Sequence, residues 1–191
     1  MKFQQQPVFG LTTRYNGIAN VLKNEIRVSE AYHPSSGLPE PLIKPFNCIW
    51  DTGATNTVIN PSVVIALNLK PSGRTIVQAV GDGGKVNEYE TNTYLVNIYL
   101  PNNVNVVGVV VSEGGIGGAD VLIGMDIITS GDLAITNYNG KTCMTFRYPS
   151  VEEIDFVQEI SEHNKRYGGA LQSTDERRKT RNKRKAEKRK K

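Results

Sequence analysis

The stretch Cys48-Ile49-Trp50-Asp51-Thr52-Gly53-Ala54-Thr55-Asn56-Thr57-Val58-Ile59 constrains this chain more than any other. An apolar run enters Asp-Thr-Gly, and small and β-branched residues carry the chain away. A carboxylate at the mouth of a buried strand is costly unless something uses or satisfies it. Gly53 lets the backbone turn sharply and lets a second chain or a substrate come close. The Thr52 hydroxyl both donates and accepts, so it can lock one loop to a neighbour. Upstream, Phe46, Cys48 and Trp50 share one strand face by period two, and Asn47, Ile49 and Asp51 share the other. Trp50 then reads either as a core or subunit-contact residue or as part of a substrate wall.

Asp-Thr-Gly alone also fits an ordinary β-turn, so its surroundings carry the reading. Downstream, Asp120-Val121-Leu122-Ile123-Gly124-Met125-Asp126-Ile127-Ile128 supplies an apolar-apolar-Gly element. Between the two lies Gln78-Ala79-Val80-Gly81-Asp82-Gly83-Gly84-Lys85-Val86, a glycine-rich turn between extended runs. In this order the three elements resemble the retropepsin-like (retroviral-type) aspartic proteases, in a single-motif form similar to bacterial or phage members. The resemblance implies an all-β fold: an acid-protease barrel with a short helix after Leu-Ile-Gly, to which this chain adds a C-terminal helix. It implies that Asp51 is catalytic and that Thr52, Gly53 and Ala54 form the active-site loop. Val80, Gly81, Asp82, Gly83 and Gly84 would be the substrate-covering flap. Leu122, Ile123 and Gly124 would form the strand behind the loop, where a side chain on Gly124 would collide with it. Ala54, where pepsin-like relatives often carry serine, removes a hydroxyl near the carboxylate and shifts the expected activity toward neutral pH. Met125 stands where many retroviral members have a basic residue, which removes a salt bridge and not catalysis.

The chain holds one Asp-Thr-Gly. By the resemblance the enzyme needs two facing aspartates, so it is expected to be a homodimer with Asp51 from each subunit on a two-fold axis. It would act on peptide or protein substrates as an aspartic endopeptidase, without a cofactor. The alternative is a catalytically silent dimerisation or peptide-binding module on the same fold. A metal site is disfavoured, because His33 and His163 stand far apart and no Cys/His spacing matches zinc ligation. No nucleophile-elbow pattern supports a serine hydrolase.

A length of 191 residues fits one domain plus appendages. The expected division is a leader and strand over 1–16, the protease domain over 17–148, a helix over 149–168 and a disordered basic tail over 169–191. For the helix, Ser150 reads as the N-cap and Glu153 as the closing residue of a capping box. The net charge of +4 hides an asymmetry: residues 175–191 hold eleven Lys/Arg and three Asp/Glu, a net of +8, which leaves −4 for the rest. The run Arg177–Lys191 is either merely solvated or a weak, nonspecific contact for nucleic acid or another polyanion. No run reaches the roughly 20 apolar residues of a spanning helix, so no membrane partner is expected. Two cysteines and no apolar leader point to free thiols and a cytoplasmic location.

Three smaller expectations concern loops. The imperfect alternation of Ile18–Tyr32 predicts a bulge or a bend. The connection His33–Pro45, with four prolines, reads as irregular chain beside the cleft. Gly114-Gly115-Ile116-Gly117-Gly118 reads neither as the flap nor as a phosphate-cradling loop. It is either a flexible loop between strands or a loop near the cleft that touches substrate.

Overall fold

The computed structural model describes residues 7–80 and 86–166, with the side chains of Ala79, Val80 and Val86 outside that description. The tip of the expected flap, Gly81, Asp82, Gly83 and Gly84, and the run Arg177–Lys191 lie outside the described residues.

The first unit runs to Val151. Its centre is a closed six-stranded barrel. Strand β2 (Leu22–Glu30) pairs antiparallel with β3 (Lys44–Trp50), from Leu22 opposite Trp50 to Val28 opposite Lys44. Strand β8 (Val121–Ile123) lies parallel to β3 with Ile123 opposite Trp50. Strand β4 (Val58–Ile59) joins β8 to β7 (Val104–Glu113). Strand β6 (Val86–Leu100) pairs with β7 and closes the ring on β2, with Arg27 opposite Tyr99 and Glu30 opposite Val96. Closure leaves these strands no edge to template aggregation. The alternation is physical: Ile26, Val28, Val96, Ile98 and Val121 point into the core, while Lys23, Glu25 and Arg27 stay in water.

Strand β5 (Gly73–Val80) extends from β6 as a hairpin whose register brings Val80 opposite Val86. A second sheet, in the order β1-β10-β9, is formed by β1 (Phe9–Arg14), β9 (Asp132–Thr136) and β10 (Cys143–Tyr148). It buries Leu11, Met144 and Phe146 in the same core as the barrel. The Trp50 ring stands 5.1 Å from that of Phe146, tilted by 53°. Trp50 is therefore a core residue that links the two sheets.

The run Ile18–Tyr32 bends at Asn20 and Val21, just before β2, and a further irregularity lies between Val96 and Ile98 on β6, opposite Gly108. Gly108 adopts φ +67°, and its N–H donates to Asn97 Oδ1 at 2.9 Å, so a glycine and an amide side chain absorb the extra residue. The proline-rich connection joins the Glu30 and Lys44 ends of the β2–β3 hairpin, whereas Asp51 follows the other end. Six residue steps at about 3.3 Å put roughly 20 Å of strand between them, so the loop is not beside Asp51.

The C-terminal helix, in the second unit, also departs from its expected bounds. Helix α3 spans Phe156–Arg166 and does not begin at Ser150. Asp155 Oδ1 accepts from Val157 N and Gln158 N at 2.8 and 3.3 Å and so supplies the cap. The Ser150 hydroxyl is used within the first unit, where it donates to Asp132 Oδ1 at 2.6 Å.

Candidate active site

Asp51 leaves β3 at the point where the strand runs out of partners on one side. Its N–H donates to Ile123 O at 3.0 Å, which continues the β3–β8 ladder by one rung. Its Oδ1 accepts from Gly53 N at 2.8 Å, and Ala54 N donates to Asp51 O at 3.3 Å, so Asp-Thr-Gly closes a tight turn around its own carboxylate. A Cβ on Gly53 would stand 3.1 Å from that oxygen. Asp51 is half-buried, while Thr52 and Gly53 are exposed at the tip. Among the described residues the Thr52 hydroxyl makes no hydrogen bond.

The loop is braced from behind. Ala54 O and Thr55 O accept from Met125 N and Asp126 N at 2.8 and 3.1 Å, in the first turn of helix α2 (Met125–Ile128). Thr57, fully buried, donates from its hydroxyl to Asp126 Oδ1 at 2.7 Å, and its N–H donates to Asp126 Oδ2 at 2.9 Å. The same hydroxyl accepts from Gly124 N at 3.1 Å. A Cβ on Gly124 would lie 2.5 Å from the carbonyl carbon of Asn56 and 2.6 Å from its oxygen. No L-residue with a side chain fits there unless the loop moves. Thr57 and Asp126 were not singled out from sequence; a buried threonine and an acid in a helix's first turn read as generic features until the fold joins them.

Beside Asp51 lies an apolar surface. Ile49, Leu122 and Val58 are direct neighbours across β3, β8 and β4. All three are half-exposed, whereas their alternates Cys48, Trp50, Val121, Ile123 and Ile59 are buried. By period two, Asp51 continues the Ile49 face. Leu122 thus faces the Asp51 side, while Ile123 and Gly124 lie under the loop. At the far edge of this surface, a Cβ on Gly114 would meet Val58 Cγ1 at 3.0 Å and the Tyr89 hydroxyl at 3.4 Å. The glycine-rich loop, the strand after Asp51 and strand β6 of the β5–β6 hairpin therefore meet at one point.

Beneath Asp51, Asn24 Oδ1 accepts from Trp50 Nε1 at 2.7 Å and from Cys48 Sγ at 3.0 Å. Burial pushes the Cys48 thiol up to about 12, so it remains a protonated donor at neutral pH. Both cysteines are free. On the neighbouring strands, the buried Tyr94 hydroxyl donates to Glu113 Oε2 at 2.7 Å, and burial first, then that carboxylate, raises its pKa.

Residues 43–130 match the family described as "gag-polyprotein putative aspartyl protease". Among solved structures the chain is similar to a retropepsin-like aspartic protease from Rickettsia conorii, at 8% identity and a TM-score of 0.41, over 75% of this chain and 98% of that one. No curated protein matches the chain. Among the described residues, no helix is long and apolar enough to cross a membrane. The matched segment contains the Asp-Thr-Gly loop, the strands that hold it and the Leu-Ile-Gly element, and over these residues the chain is similar to the aspartyl proteases of that family.

Proposed function

We propose that the chain is an aspartic endopeptidase that works as a homodimer, with Asp51 of each subunit facing the other across a two-fold axis. The observation that carries this reading is a single, half-buried Asp51 held at the end of an apolar surface by a tight, exposed turn. One carboxylate cannot both activate water and protonate a carbonyl, whereas two brought to about 3 Å share one proton and divide the work. The ionised partner takes a proton from the water between them. The protonated partner donates to the scissile carbonyl oxygen. The pair titrates as a unit. Thr52, exposed and without a hydrogen-bond partner among the described residues, is free to bond across the axis, and the exposed Gly53 permits the close approach. Ile49, Leu122 and Val58 would receive apolar side chains of an extended peptide, and the β5–β6 hairpin would cover it. The basic tail would supply at most nonspecific attachment to a polyanion, and the protein would work in the cytoplasm.

The test is peptide-library hydrolysis by the wild type and by Asp51→Asn. The variant should lose hydrolysis while it keeps fold and dimer, and wild-type specific activity should fall on dilution through the dimer dissociation constant. Turnover by Asp51→Asn, or full activity of a monomer in ultracentrifugation, would overturn the proposal. A folded wild type that binds peptides but cleaves none would leave the silent binding module.

A further inference from the structure

Asn60 occupies the N-cap position of helix α1 (Pro61–Leu67), yet its side chain makes no capping bond. Asparagine is among the best N-caps, and a missing cap destabilises a helix. The carboxamide is turned instead onto the glycine-rich loop, 56 to 59 positions away in sequence. Its Oδ1 accepts from Ile116 N at 2.8 Å. Its Nδ2 donates to Ala119 O at 2.6 Å and to Ile116 O at 3.3 Å.

Backbone bonds extend the hold. Gly114 N donates to Ile59 O at 3.0 Å, and Asn60 N donates to Asp120 O at 2.9 Å. From β2, Lys23 Nζ reaches Gly118 O at 3.2 Å. A run with four glycines in five residues has few side chains of its own to pack, so without these bonds nothing would choose one conformation for it. The clamped loop starts at Gly114, against Val58 and Tyr89, and ends at the strand that carries Leu122. It therefore borders the apolar surface beside Asp51.

We propose that Asn60 is a positioning residue for substrate selection: its carboxamide holds the 114–119 loop as a fixed side wall of the peptide cleft. This rests on the protease reading above. A flexible wall would yield to side chains of different size, and a fixed wall discriminates among them. Asn60 itself touches no substrate and acts through the loop.

Asn60→Asp separates the clamp from the cap. Aspartate caps a helix as well as asparagine does and can still accept from Ile116 N. It cannot donate to Ala119 O or Ile116 O, and it sets a carboxylate against both carbonyls. The variant should keep wild-type thermal stability, since α1 can be capped. Amide exchange at Ile116 and Gly117 should become faster by about tenfold or more, the loss of one or two net hydrogen bonds. Rival peptides that differ by a methylene beside the scissile bond should be separated by about 10–200-fold in the wild type and by a few-fold at most in the variant. KM for the preferred peptide should rise more than kcat falls.

Unchanged exchange at Ile116 together with unchanged selectivity overturns the inference. So does faster exchange with selectivity retained, which would make the clamp structural only. Asn60→Ser, which also caps but is too short to span the loop, should behave like Asn60→Asp; wild-type selectivity in both variants is decisive against it. A wild type that cleaves no peptide is a failure of the protease reading, visible before any substitution, and it removes the selection role with it.

Discussion

The Thr57 hydroxyl donates to Asp126 Oδ1 at 2.7 Å across 69 positions of sequence, and so ties the segment after Asp51 to the first turn of α2. Because the same oxygen also accepts from Gly124 N, one buried atom holds both the loop and the turn beneath it.

Thr57→Val preserves shape but leaves the Gly124 N–H buried without its acceptor. The loss should be about 1–3 kcal/mol in denaturant unfolding. Peptide turnover should fall with it, because Asp51 loses its brace, and Thr57→Ser should restore most of both. A Thr57→Val protein with wild-type stability and turnover would show that the brace is dispensable.

Gly124→Ala inserts a methyl 2.5 Å from the Asn56 carbonyl carbon, a backbone atom that cannot rotate away. Overpacking of this kind costs about 1–3 kcal/mol or more, and here the strain falls on the Asp51 loop. The expected result is a folded protein of lowered melting temperature with little or no hydrolysis. Measuring both separates damage to the loop from global unfolding.

Asn24→Leu removes the acceptor shared by Trp50 and Cys48 and leaves two buried donors unmet, at a cost of about 1–3 kcal/mol. Trp50 is the only tryptophan, so intrinsic fluorescence reads this site directly. The native emission of the variant should differ from that of the wild type under conditions where both are folded. In the wild type, Cys48 should resist thiol reagents until the protein unfolds, since burial holds it protonated.

Asp132 joins β9 to the end of β10. It accepts from Ser150 Oγ, from Arg147 Nε at 2.8 Å and from Val151 N at 3.2 Å. These partners, the Ser150 bond first, hold its pKa below the ordinary carboxylate value of 3.8. A depressed folded-state pKa means that the contribution is complete above the unfolded-state value and is lost as pH falls through the folded-state one. Stability measured from pH 6 downward should therefore decline below about pH 4, and Asp132→Asn should flatten that part of the curve. An unchanged acid limb in the variant would assign the loss to other carboxylates.

Much of the site was legible in the chain because local chemistry dictated it. An apolar strand that ends in Asp-Thr-Gly needs a turn around the carboxylate, and period two placed Ile49 with Asp51 and Cys48 with Trp50. The hairpin that brings Val80 opposite Val86 followed from two extended runs about a glycine-rich turn. What the sequence could not decide was the destination of polar side chains that have equally good local uses. Ser150 reads as a helix cap and Asn60 holds the N-cap position of α1, yet tertiary partners took both side chains: Asp132 in one case, the backbone of the 116–119 segment in the other. Thr57 and Asp126, 69 positions apart, have no sequence pattern that pairs them. Local propensity is worth about 1 kcal/mol per cap, whereas a buried donor left without an acceptor costs up to about 3. Where the two compete, the folded structure decides, and around Asp51 it used those side chains to hold the loops in place.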